Sequence, residues 1–120
     1  MLKRVKLFSI GLLLVPSFSF AIGAIAVDDE EGISGDEIGY WYVVGEETEA
    51  DAKKEALKGC KKAGNKNCKV AGWFKNCGAY SASKNYSGFG YGKTKEIAIN
   101  KSLEECGNKS CKVIIADCED

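Results

Sequence analysis

The chain has 120 residues, 17 basic and 17 acidic, six cysteines and no histidine. Lack of histidine excludes Ser-His-Asp and Cys-His catalysis, imidazole acid-base chemistry and the usual catalytic zinc sites. The one arginine, Arg4, lies in the N-terminal segment, and the rest of the chain is acidic with scattered lysines, a pattern that argues against nucleic acid as a partner.

Residues 1–21 read as a signal peptide. Lys3, Arg4 and Lys6 make a basic start, and Leu7 to Phe20 is an apolar run too short for a comfortable membrane span. Small residues satisfy the cleavage rule after Ala21 and, as an alternative, after Ala26. Cleavage removes three positive charges and no acid, leaving one acidic domain, residues 22–120, with no membrane span. Its core is small enough for cross-links to matter, and six cysteines in an exported chain fit that need. The expected location is exported, periplasmic or secreted.

In chain order, a strand is expected over Gly23–Val27, then the longest loop, Asp28 to Gly39, rich in acids and glycine. A strand over Tyr40–Gly45 leads to a helix over Glu49–Ala63, with Thr48 as N-cap and Ala52, Ala56, Cys60 and Ala63 as a narrow apolar stripe. A strand over Cys68–Lys75 closes this unit. The pattern then repeats: strands over Gly78–Ser83 and Gly88–Gly92, a helix over Lys95–Cys106 capped by Thr94, and a strand over Cys111–Asp117. Thr48, Ala52, Leu57 and Cys60 stand opposite Thr94, Ala98, Leu103 and Cys106 at constant spacing, and Gly64-Asn-Lys-Asn-Cys-Lys-Val70 recurs as Gly107-Asn-Lys-Ser-Cys-Lys-Val113. The second match is three residues closer, so the first helix should be longer by nearly one turn. Gly23–Val27 aligns with the segment starting at Gly78, which favours cleavage after Ala21, since cleavage after Ala26 would delete the first strand. The fold class is α+β: a duplicated strand-strand-helix-strand unit, repeat one over 22–76 and repeat two over 77–120, with two helices packed on antiparallel sheet and disulfides holding the whole.

Gly23-Ala-Ile-Ala-Val27, the Thr-x-x-x-Ala helices ending in cysteine, Cys68-Lys-Val70 leading into Trp73-Phe-Lys-Asn-Cys-Gly-Ala79, and the glycine-aromatic run before Thr94 resemble the bacterial secreted "domain of unknown function 4189" family. The likeness spans about residues 23 to 118. It implies a small exported duplicated domain and transfers no activity, cysteine connectivity or binding face.

No two cysteines have the C-x-x-C spacing of thioredoxin-like or zinc-ribbon sites, so structural disulfides are expected, with no metal and no cofactor. Six cysteines allow fifteen pairings. Pseudo-symmetry narrows these without selecting one. The preferred set is Cys60–Cys68 and Cys106–Cys111, across short helix-to-strand reversals, and Cys77–Cys118, read as a bond between the two copies.

Glu46, Glu47, Glu49 and Asp51 crowd together as paired catalytic carboxylates would, but acids at a helix start also complement its dipole, and no catalytic residue is assigned. Glycine alternates with aromatics over Gly88–Gly92, so both rings fall on one strand face; the bare face suits a packed helix. Trp41 and Tyr42, and likewise Trp73 and Phe74, are neighbours that must point to opposite faces, so some aromatic surface stays exposed. The candidate binding residues are Trp41, Trp73, Phe89 and Tyr91, with Asp28, Asp29, Glu30 and Glu31 of the acidic loop. The functional expectation is an exported domain without catalysis that binds another exported or envelope protein, of the inhibitor or toxin-neutralising kind. The alternative is a secreted effector or carboxylate-dependent hydrolase acting on cell-wall glycan or host material.

Overall fold

The computed structural model describes residues 22–30 and 37–119; the expected signal segment and Glu31 lie outside the described residues. The chain runs β1 (Ile22–Asp28), β2 (Gly39–Glu46), α1 (Glu49–Lys62), β3 (Lys69–Phe74), β4 (Cys77–Ala82), β5 (Ser87–Gly92), α2 (Lys95–Cys106) and β6 (Lys112–Cys118). The duplication takes the form of two antiparallel sheets, ordered β2-β1-β3 and β5-β4-β6, so the first strand of each unit is the centre of its own sheet. In the first sheet Ile25 faces Tyr42 on one side and Gly72 on the other. In the second, Tyr80 sits between Phe89 and Ile115.

The central strands are buried on both faces, and their period of two sorts the layers. Ile25 and Val27 of β1 and Tyr80 and Ala82 of β4 join Phe74 and Ile38 in the core between the sheets. The intervening Ala24 and Ala26 cluster with Ala52, Ala56 and Cys60 of α1, while Ala79 packs on Ala98 of α2. The order is therefore helix, sheet, sheet, helix. Small residues on the outer faces let each helix lie close to its sheet. Phe74, 1% exposed, is the main plug between the sheets. Its ring fills the space left by Gly23 and Gly78, where any Cβ would overlap it.

Both helices start as their sequences dictate: Thr48 Oγ1 accepts from Asp51 N at 3.0 Å and Thr94 Oγ1 from Ile97 N at 3.1 Å. The three-residue offset falls at their ends. α2 stops at Cys106 with Gly107 in the left-handed region at φ 70°, whereas α1 runs two residues past Cys60 before capping at Ala63. Ala63 is exposed, so the α1 stripe ends at Cys60.

Where the first unit has Ala26 against Ala56, the second has Ser81 against Ser102. The two hydroxyls are 2.6 Å apart at 0% exposure, and Ser102 Oγ also donates to the Ile99 carbonyl at 2.8 Å. An alanine pair in one unit is thus a hydrogen-bonded serine pair in its copy.

The disulfides join Cys60 to Cys68, Cys106 to Cys111 and Cys77 to Cys118. Cys77 and Cys118 lie directly opposite each other on β4 and β6. That bond fastens the first and last strands of the second sheet, and does not bridge the two units as the sequence suggested. The cause is topological: β4 opens the second unit and is the central neighbour of β6.

Candidate functional site

The aromatic residues divide as strand geometry requires. Phe74 is buried, so its neighbour Trp73 turns outward at 36% exposure. Tyr42 packs against the inter-sheet core, so Trp41 turns the other way. There its indole lies against α1 over Gly59, where a side chain would collide with it. On β5, Gly88 and Gly90 meet the backbone of α2. This is the helix packing expected for the bare face. Phe89, on the opposite face, joins the core between the sheets, and Tyr91 stands 59% exposed. The two rings have centroids 6.4 Å apart.

Of the four candidate aromatics, Trp73 and Tyr91 line one cleft. Trp73 is on β3, the edge of the first sheet, and Tyr91 is on β5, the edge of the second. Both line an open cleft of about 490 Å³ with Lys75, Asn76 and Lys93. Lys101 of α2 places Nζ 5.6 Å from the Tyr91 ring centroid, a cation–π arrangement that steadies the ring. A second groove of about 290 Å³ shares Asn76 and Lys93 and extends past the Cys77–Cys118 bond to Lys95 and Glu119. The Glu119 carboxylate accepts from Gly45 N at 3.1 Å. Sequence reading missed the lysines. The signal was present: Trp73-x-Lys75 and Tyr91-x-Lys93 repeat an aromatic-x-lysine pattern, each lysine standing just past the end of the strand that carries the ring.

Trp41 and Phe89 do not line this cleft, and the acidic candidates are engaged elsewhere. Asp28 Oδ2 accepts from Lys66 N at 3.1 Å and Asn67 N at 3.2 Å. Glu30 accepts from the Asn67 side chain. Asp29 takes the Tyr80 hydroxyl and pairs with Lys69 Nζ at 3.1 Å. Burial, reinforced by Asp29, pushes the Tyr80 phenol well above its ordinary pKa. Tyr80, Asp29 and Lys69 line a separate cleft of about 300 Å³ with Phe89 and Glu105, and Glu105 accepts from Phe89 N at 2.7 Å. These contacts tie the chain after β1 to β3, β4 and the β3 approach.

Glu49 pairs with Lys53 at 2.5 Å one turn on, and the backbone N–H of Asp51 is held by the Thr48 cap. Glu47 and Asp51 are exposed. Among the described residues no group of three or more His, Cys, Asp or Glu is placed to hold a metal ion, and no helix is long and apolar enough to cross a membrane.

The fold and cleft define a small, duplicated, disulfide-stabilised α+β domain. The chain belongs to the family described as "Domain of unknown function (DUF4189)", which matches residues 21–118. Comparison with curated proteins and comparison with solved structures each give no match.

Proposed function

We propose that this chain is an exported, non-catalytic binding domain whose ligand is another exported or envelope protein, acting as an inhibitor or toxin-neutralising factor. The observation that carries the reading is the pairing of Trp73 and Tyr91: two exposed aromatics from different sheets, converging on one cleft, are the kind of anchor that dominates protein recognition. Three disulfides support an oxidising compartment. The position of β1 at the centre of its sheet supports a mature start at Ile22, because cleavage after Ala26 would remove most of that strand.

The placement of the α1 acids favours binding over carboxylate-dependent hydrolysis, since Glu49 is matched to a lysine and Asp51 belongs to a capped first turn. The test is capture from envelope extracts with the oxidised mature protein, the recovered partner being identified by intact mass. Trp73→Ala with Tyr91→Ala should abolish capture, and Glu46→Gln with Glu47→Gln should leave it unchanged. Capture indifferent to Trp73 and Tyr91, or turnover of a glycan or peptide lost in the Glu46/Glu47 variant with the fold retained, would overturn the proposal.

A further inference from the structure

We infer that the Trp73–Tyr91 cleft takes an extended acidic peptide segment of its partner, an inference that rests on the cleft being the binding site. Three features of the cleft carry it. The first is charge: Lys75 and Lys93 flank the two rings, and the adjoining groove adds Lys95. Among the described residues, the carboxylate lining these grooves is that of Glu119, which accepts from Gly45 N. An acidic domain that gathers lysines at its aromatic cleft is complementary to an anionic ligand.

The second feature is shape. The cleft and the adjoining groove share Asn76 and Lys93, forming one track from Trp73 to Lys95. A linear ligand suits such a track better than a compact one.

The third feature separates peptide from anionic polysaccharide. Both aromatic walls are edge strands, β3 and β5, whose outer backbone groups have no neighbouring strand to pair with among the described residues. An extended peptide can add backbone hydrogen bonds at such an edge while its side chains enter pockets, whereas a glycan lacks the matching donor-acceptor ladder. Along β5 the edge N–H of Phe89 is already taken by Glu105, which leaves the end at Tyr91, beside the cleft, as the place for pairing. In the resulting arrangement an apolar side chain lies between Trp73 and Tyr91, and carboxylates meet Lys75 and Lys93.

The direct test presents a random-peptide display library to the oxidised mature protein at low salt. Enriched peptides should place Asp or Glu on both sides of an aromatic or large aliphatic residue. Trp73→Ala should weaken their binding about thirtyfold, the scale of a central anchor. Lys75→Gln with Lys93→Gln should weaken it about three- to tenfold and remove most of its salt dependence. Far-UV circular dichroism verifies that each variant keeps its fold. Enrichment of neutral or basic peptides, no enrichment, or tighter binding of oligogalacturonate than of any acidic peptide would overturn the inference. If envelope capture still depends on Trp73 and Tyr91 in those cases, the binding site stands and only its ligand chemistry falls; if capture ignores them, both fall.

Discussion

The serine pair beneath α2 gives a test of how the duplication was built into the core. Ser81 and Ser102 occupy the positions of Ala26 and Ala56, and both are fully buried. In Ser102→Ala the Ser81 hydroxyl loses the partner it has in the structure, and an unsatisfied buried hydroxyl costs about 1 to 3 kcal/mol. In Ser81→Ala the Ser102 hydroxyl keeps its bond to the Ile99 carbonyl, so the loss should stay below about 1 kcal/mol. The double variant recreates the alanine pair of the first unit and leaves no orphan; its cost should also stay below about 1 kcal/mol. The two substitutions should therefore couple by about 1 to 2 kcal/mol, with the double variant more stable than Ser102→Ala alone. Urea unfolding followed by circular dichroism, with disulfides intact, measures all four corners of the cycle. Strict additivity of the two single costs would refute the reasoning, because it would mean that the hydroxyls do not satisfy each other.

Removing Cys77–Cys118, which closes a separation of 41 residues, should cost about 4 kcal/mol, against about 2 kcal/mol for Cys106–Cys111, which closes 5. Because the longer bond lies within the second sheet, amide exchange should accelerate most in β4 and β6, and least in β1 and β2. The Tyr42 hydroxyl beside Asp117, helped by the Cys118 N–H and by Lys95, holds the Asp117 carboxyl below the ordinary carboxylate range. A depressed folded-state pKa contributes stability above the unfolded value that is lost as pH falls through the folded one. Tyr42→Phe should accordingly flatten the acid limb of stability below about pH 4, read as urea midpoints across a pH series.

Local chemistry was legible in the sequence wherever it depended on near neighbours. Thr48 and Thr94 announce the helix starts, the glycines of Gly88–Gly92 announce the close approach of α2, and adjacent aromatics announce that Trp73 and Trp41 cannot both follow Phe74 and Tyr42 inward. Long-range placement was less legible. Two sheets packed face to face and one continuous sheet share the same strand pattern, so the position of Cys77–Cys118 within the second sheet needed the topology. Asp28, Asp29 and Glu30 look like a solvated acidic run in sequence, but their partners Lys66, Asn67, Tyr80 and Lys69 lie far along the chain. Trp73 and Tyr91 line one cleft because β3 and β5 are edges on the same side of the sandwich, a fact of strand order that neither strand encodes alone. The aromatic-x-lysine repeat was the available hint, and it becomes meaningful once both strands end at one cleft.

The central claim is that this domain works by binding at the Trp73–Tyr91 cleft. Amide hydrogen exchange of residues 22–120, alone and saturated with the partner captured from envelope extracts, tests it most directly. The account predicts slowed exchange at Trp73 to Asn76 and Tyr91 to Lys93, little change at Glu46 to Asp51, and an unaltered partner mass. Protection centred on the start of α1, no protection at the cleft, or a partner cleaved during incubation would contradict it.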